Sequence, residues 1–411
     1  MKANQERIEQ HIELLSRFTS TPGQGVTRLT YSKEDLQARN YIKEKMVEYD
    51  LDVTEDGFGN IFGKLEGTLP NGPSVIVGSH FDSVPNGGAY DGTAGVIVGL
   101  EVAALFKENN VKPAYPLEII ALVEEEGSRF AGGLMGSRGM MGLLSEEDFK
   151  KLTDKDGILT EEAMLKIGLD PSKEKSRDPE TIRAFLELHI EQGPILEEKG
   201  IQIGIVEAIV GLTQLEVTVQ GQAGHAGTTP MDRRADALVS AAQIISDLPE
   251  LASAVGEGTV ITTGRLNVFP NGANVIPEKV VFSIDIRSGK EEHVLEAVRS
   301  TKERIAARSD HGVYTSAEEI LYIQPKLLDE NIRSILKESS DALEIATCDI
   351  QSGAGHDAMV LSDFTACGMV FIPSKDGLSH CPEEWSDARD LTAGTNILFK
   401  AAIQLTEGKS L

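Results

Sequence analysis

Apolar positions along this chain recur with two periods, and the elements follow from which period holds where. The opening MKANQERIEQHIELLSRF places Ile8, Ile12, Leu15 and Phe18 on one stripe at helical spacing, which predicts an amphipathic helix. From about residue 35, helical patterns alternate with short apolar strands: a helix over 34–48, VIVGSH at 75–80, a helix over 93–107 and LEIIALV at 117–123. Such alternation predicts a sheet of the α/β type layered with helices. AFLELHI at 184–190 and IQIGIVEAIVG at 201–211 add strands. Residues 145–181 are charged and poor in strand formers, so surface helices and loop are expected there, with the charges on a solvated face.

After Gly211 the pattern changes. LEVTVQG, a helix over 233–247, the strands TVITTGRLNVF and KVVFSIDIRS, and a helix over 291–308 form a β-α-β-β-α run from about 212 to 325. It predicts an open-faced α+β sandwich inserted into the first domain. Residues 326–411 return to helix and strand, with GMVFIP at 368–373 as a buried strand. The expected division is a discontinuous first domain, 1–211 with 326–411, and an inserted second domain, 212–325. A length of 411 residues, 40% of them hydrophobic, suffices for two cores.

Charge removes some classes of partner. Lysine and arginine number 39 against 65 acidic residues, and the net charge of -26 repels nucleic acid and anionic bilayers. No apolar run approaches the roughly 20 residues that span a bilayer, and the opening helix lacks the apolar centre of a signal peptide. Cys348, Cys367 and Cys381 are odd in number and show no CxxC spacing, as expected of reduced thiols. A soluble, cytoplasmic protein with no nucleic-acid or membrane partner is the expectation.

The candidate chemistry sits at strand ends. In GSHFDSVPNGGAYDGTAG, residues 78–95, His80 and Asp82 stand two apart after an apolar run, so an extended backbone points both to one side. Asp82 can then accept the second ring N–H of His80, which fixes the tautomer of a metal-ligating histidine. Asp91 follows in a glycine-rich turn into the next helix, where its carboxylate could bridge two ions. Glu124, Glu125 and Glu126 follow LEIIALV, and His189 ends AFLELH. Sites in α/β sheets form outside the carboxyl ends of strands, where these groups converge. Three adjacent glutamates repel one another unless a cation lies among them. Imidazole with carboxylate suits zinc, manganese, cobalt or nickel. Taken singly, His80, His189, His225, His356 and His380 each read as hydrogen-bonded structural histidines; their common setting argues for more.

These residues resemble a known set. The ordered motifs HFD, YDG, EEEGSRF, ELHIEQG, GHAGTTPM, SGAGHDA and GLSHCPEEW are similar to the amidase branch of the dinuclear-zinc aminoacylase and carboxypeptidase superfamily. That branch includes N-carbamoyl-L-amino-acid hydrolases, allantoate amidohydrolases and β-ureidopropionases, and the resemblance covers nearly the whole chain. It implies a mixed-sheet zinc-hydrolase domain with an inserted lid and dimerisation domain, and a homodimer. It implies two divalent ions per subunit, one held by His80, Asp91 and His189, the other by Asp91, Glu126 and His380, with Asp91 bridging. Glu125 is then the general base, with Asp82 beside it in the catalytic set, while Glu124 has no assigned role. His225 would steady an oxyanion across the dimer interface, or else serve a glycine-bounded turn. Asn274 and Arg287 would bind a substrate carboxylate, for which the planar arginine fork is suited. Gly355 would offer a backbone contact and Gln214 would tune selectivity, while His356 reads as structural. The substrate implied is a small ureido carboxylate. N-carbamoyl-L-amino acids come first and allantoate second, because EEEGSRF and VEAIVG resemble the allantoate enzymes whereas GLTQLEV departs from them. A dipeptidase, an aminoacylase or a non-catalytic metal-binding relative stands behind both.

Overall fold

The computed structural model describes residues 2–69, 71–130, 132–173, 176–309 and 312–408. The chain forms two compact units: Met1–Glu207 with Leu328–Ile350 and His356–Leu411, and Ala208–Leu327 with Gln351–Gly355.

The first unit is built on a mixed sheet. Its strands are β1 (Asp52–Glu55), β2 (Ile61–Leu65), β3 (Ser74–His80), β4 (Leu117–Leu122), β5 (Ile182–Ile190) and β6 (Ile203–Ile209), joined by a late strand, Cys367–Ile372. The order is β1-β2-β4-β3-β5, then Cys367–Ile372, then β6. The centre is parallel: β3 runs parallel to β4 and β5, and Cys367–Ile372 parallel to β5. Both edges are antiparallel. Strands covered on both faces read as unbroken apolar runs, and β3 and β4 are buried along their whole length. Each fully buried leucine, isoleucine or valine there contributes about 1.5–3 kcal/mol.

Helix Thr93–Glu108, apolar and buried almost end to end, packs on β3, β4 and β5. Helices Gln5–Ser16, Glu330–Asp341 and Ala388–Thr406 complete that layer. Gln5–Ser16 buries Ile8, Ile12 and Leu15 as its stripe predicts, and also His11, whose ring nitrogens lie 2.6 Å from Tyr41 Oη and 3.2 Å from Tyr49 Oη. Residues 145–181 form short helices and loop, with 174 and 175 outside the described residues.

The second unit carries an antiparallel sheet in the order Leu266–Phe269, Lys279–Ser288, Gly211–Gln220, Tyr314–Ile323, with Val260–Thr262 also beside Lys279–Ser288. Burial alternates along Lys279–Ser288, and helices Ala237–Val255 and Glu291–Ala306 cover the apolar face. Three features differ from the sequence expectation. TVITTGRLNVF is two short strands rather than one. The helix expected over 233–247 starts at its Asp236 cap and continues through Pro249, because Leu248 and Ala252 keep its buried stripe in phase. Tyr314–Ile323 is an edge strand whose bulge between Glu319 and Leu321 breaks the two-residue alternation that would have announced it.

Residues 351–355, Gly355 among them, belong to the second unit rather than the first, where the sequence division placed them. The Gly353 carbonyl accepts from Arg287 Nη1 at 2.9 Å, and a Cβ at Gly289 would lie 2.5 Å from Gln351 Oε1. Among the described residues no helix is long and apolar enough to cross a membrane.

Candidate metal centre

The parallel centre of the first unit delivers its polar residues to one end of the sheet. His80 is the last residue of β3, Glu124–Glu126 follow β4 after Val123, and His189 is next to last in β5. Asp91 comes from the turn before helix Thr93–Glu108, and His380 from the loop after Cys367–Ile372. Gly92 makes the turn possible: its φ is +58°, and a Cβ there would lie 2.2 Å from the His80 ring.

Asp91 divides its carboxylate between two groups of residues. Oδ1 lies 3.4 Å from His80 Nε2 and 3.3 Å from His189 Nε2, while Oδ2 lies 3.3 Å from His380 Nε2. His380 Nε2 is also 3.5 Å from Glu126 Oε1. Two sets of potential ligand atoms therefore gather around Asp91: His80, Asp91 and His189, and Asp91, Glu126 and His380. A third set joins His80 to Glu125 and Glu126.

The tautomers bear on what belongs between them. His189 Nδ1 faces the Ile190 carbonyl at 2.9 Å and His80 Nδ1 faces the Asp82 carbonyl at 3.3 Å. A carbonyl only accepts, so both Nδ1 atoms carry hydrogen and each neutral ring has its lone pair on Nε2; that of His189 accepts the Gly92 N–H at 3.2 Å, and that of His80 faces Asp91 Oδ1. A lone pair facing a carboxylate oxygen, as at His80, requires a second ring proton or a cation. Glu126 Oε1 is in the same position, buried with no hydrogen-bond donor. The donor set thus fits a divalent metal of the imidazole-and-carboxylate class.

The electrostatics agree. Burial, then Asp91, pushes Glu126 up to about 7. Burial raises Glu125 well above the carboxylate range, with Asp357, Glu126 and Asp82 adding to it against the pull of His80. Burial opposes charge on His80, yet Glu125, Asp82 and Asp91 outweigh it and hold the imidazole well above its ordinary value. The contact with Asp91 lifts His380 to about 9. His356 is pressed the other way, well below the ordinary range, by burial and by His189, against which its ring packs edge-on at 4.5 Å.

Glu124 stands apart from its neighbours. Its φ is +51°, and its Oε1 accepts the N–H groups of Arg129 and Phe130 at 3.0 and 2.8 Å, so it shapes the glutamate loop.

In the second unit the remaining expected residues form two groups. His225 pairs with Val275 in a two-residue ladder, and Ala226 N–H donates to the Asn274 carbonyl at 3.0 Å; both His225 and Asn274 are exposed. Gln214 and Arg287 stand on the open sheet face beside Asp285, which accepts from Arg287 Nε at 2.8 Å and Gln214 Nε2 at 3.4 Å. A cavity of about 530 Å³ there is lined by Gln214, Thr262, Arg265, Ser283, Asp285 and Arg287. Gly355 is exposed near Gly353, whose carbonyl holds Arg287.

Residues 76–404 match the peptidase family M20/M25/M40. The chain belongs to this family. An N-carbamoyl-L-amino-acid amidohydrolase of Paenarthrobacter aurescens is 45% identical, with 97% of each chain covered. An allantoate amidohydrolase of Bacillus subtilis is 37% identical over 96% of this chain and 97% of its own. A hydantoinase/carbamoylase family amidase of Burkholderia multivorans has the same fold, with a TM-score of 0.94, 32% identity and coverage of 100% and 99%.

In this M20/M25/M40 member the structure adds residues that the sequence did not single out, three of them inside the motifs. Gln192, with φ +59°, donates from Nε2 to Asp91 Oδ2 at 2.7 Å. Ser379 and Glu384 meet the same loops. Arg28, buried, donates to the carbonyls of Leu15 and Phe81 and to Thr93 Oγ1, tying the opening helix to the segments on either side of the centre. A lone arginine in TRLTYS carries no sequence signal for that task.

Proposed function

We propose that this chain is a metal-dependent amidohydrolase that cleaves the ureido C–N bond of N-carbamoyl-L-amino acids, releasing the L-amino acid, ammonia and carbon dioxide. The observation that carries this reading is the shared Asp91, with one carboxylate oxygen toward His80 and His189 and the other toward His380. Hydrolases of this family use divalent metals. Here His80, Asp91 and His189 would hold one ion and Asp91, Glu126 and His380 the other, zinc or else manganese, cobalt or nickel. When bound, such ions supply Lewis acidity, acidifying water and polarising a carbonyl.

Glu125 acts as general base: it takes a proton from the attacking water and returns it to the leaving nitrogen. Its buried carboxyl is poised for both halves of that transfer, since its proton affinity is already raised. Asp82 orients His80 and the glutamate loop. Arg287, its plane fixed by Asp285 and the Gly353 carbonyl, receives the substrate carboxylate, helped by Asn274, Gly355 and Gln214. His225 donates to the developing oxyanion. Supporting a homodimer, the edge strand Tyr314–Ile323 exposes Tyr314, Ile320 and Tyr322. Three free cysteines support a cytoplasmic setting.

Allantoate is the second reading, favoured by the 37% identical relative and by the form of EEEGSRF. The test is ammonia release by metal-reconstituted protein, wild type and Glu125→Gln, offered N-carbamoyl-L-methionine, N-carbamoyl-β-alanine, allantoate and a dipeptide. Activity on the first that vanishes in the variant is expected. Silence on every ureido compound with metals bound would overturn the proposal.

A further inference from the structure

Glu384 is 4% exposed and touches neither proposed base nor substrate residue, yet its carboxylate ties together two of the loops that form the centre. Oε1 accepts the backbone N–H groups of Tyr90 and Asp91 at 3.0 and 3.1 Å. Oε2 accepts from Ser379 Oγ at 2.9 Å and from the His380 backbone N–H at 3.3 Å. One side chain thus holds the backbone of Asp91 and that of His380, which share no strand or helix. His380 has φ +58°, a conformation that persists in a non-glycine residue only when its surroundings enforce it. Gly88 makes room: a Cβ there would lie 2.0 Å from Glu384 Oε1.

Ser379 adds a choice. Its hydroxyl lies between Glu384 Oε2 and Asp91 Oδ2, at 2.9 and 3.0 Å, and it has one proton to give. With no cation at Asp91 Oδ2, the hydroxyl joins Gln192 Nε2 in donating to that oxygen. With Asp91 Oδ2 engaged by a cation, the proton turns to Glu384, where it reinforces the tie between the loops.

We propose that Glu384 is the positioning residue for the ion held by Asp91, Glu126 and His380, acting through the spacing of Asp91 and His380, with Ser379 as its auxiliary. This rests on the proposal that the centre takes two divalent ions. The isosteric Glu384→Gln is the informative change. Its amide oxygen can still accept from Tyr90 and Asp91, and its NH2 can donate to Ser379, but the His380 N–H then faces a donor. The tie fails at the His380 end alone.

The experiment titrates wild-type and Glu384→Gln apoprotein with Co²⁺, following heat and visible absorption, and checks both folds by thermal melting. Emission from Trp385, the chain's single tryptophan, packed edge-on against Tyr90 at 5.4 Å, reads the local loop. The expected result is one ion at wild-type affinity and the other weakened about 10–100-fold, the scale on which outer hydrogen-bond partners of metal ligands act, with an altered cobalt spectrum for the weakened ion. In assays at saturating metal kcat falls and KM holds. Two ions bound as in wild type, or both weakened equally, would overturn the inference. Wild type failing to bind two ions would instead sink the two-metal proposal beneath it. Should Glu384→Gln unfold, Ser379→Ala decides: a loss confined to one ion upholds the inference, and unchanged binding of both removes it.

Discussion

The carboxylate of Asp82 accepts the backbone N–H of Glu125 through Oδ1 at 3.1 Å and that of Glu126 through Oδ2 at 3.3 Å. His80 Nδ1 lies 3.5 Å from the same Oδ1. The spacing predicts that this carboxylate accepts the His80 ring N–H; that N–H faces the Asp82 backbone carbonyl instead, at 3.3 Å, and the carboxylate fixes where the glutamate loop begins. Asp82→Asn presents an NH2 to one of these N–H groups. Turnover should fall about 10–100-fold with weaker metal retention, measured as kcat alongside metal content after dialysis. A variant with wild-type turnover would free Asp82 from this task.

Gly92→Ala brings a Cβ to 2.2 Å from the buried His80 ring at a left-handed φ of +58°. The ring has no room to withdraw, so the ligand geometry should be lost while the sheet persists. Metal at 100 times its dissociation constant stabilises a folded protein by about 2.7 kcal/mol per site. Wild type should show that gain in denaturant melts with added Zn²⁺, and Gly92→Ala should show little of it.

Arg287→Ala removes a charged hydrogen-bond donor whose contacts are worth roughly 1.5–3 kcal/mol. KM for the carbamoyl substrate should rise about 10–100-fold, with metal content unchanged. Arg287→Lys should recover little, because one ammonium cannot serve Asp285, the Gly353 carbonyl and a substrate carboxylate together. An unchanged KM would remove Arg287 from the site.

His11 supplies an acid-sensitive element away from the centre. Burial, helped by Lys45 and Arg7, lowers its pKa from 6.5 to about 4. The unfolded chain takes up this proton as pH falls through about 6.5, and the folded chain resists until about 4. Stability present above that window is therefore lost as pH drops across it, by at most roughly 3 kcal/mol. Urea denaturation of metal-free protein at pH 7.5, 6 and 5 should show a shallower decline for His11→Gln than for wild type. Parallel declines would assign the acid sensitivity elsewhere.

The centre was legible where chemistry interrupts an apolar run. His80, Glu125, Glu126 and His189 stand out because they end or follow largely apolar strands, and Asp91 because glycines surround it. Glu384 could not be read this way: its partners at Tyr90 and Asp91 lie far away in sequence, and a carboxylate accepting N–H groups leaves no periodic trace. Glu124 looked equivalent to its neighbours, and only its left-handed backbone turns it away from them. In the second unit, the alternation in KVVFSIDIRS gave its strand directly, whereas the bulge in Tyr314–Ile323 hid that strand behind exposed Ile320 and Leu321.

The strand Cys367–Ile372 lies between β5 and β6, although all of the second unit is translated before it. A ribosome therefore exposes β5 and β6 well before the strand that joins them, and His380 emerges later still. Synthesis at about 5–20 residues per second gives the nascent second unit a head start of several seconds over its discontinuous companion. Nascent chains stalled just before residue 367 should carry a protease-resistant second unit and a cleavable first one. During that interval the first unit carries β5 and β6 without the strand that joins them.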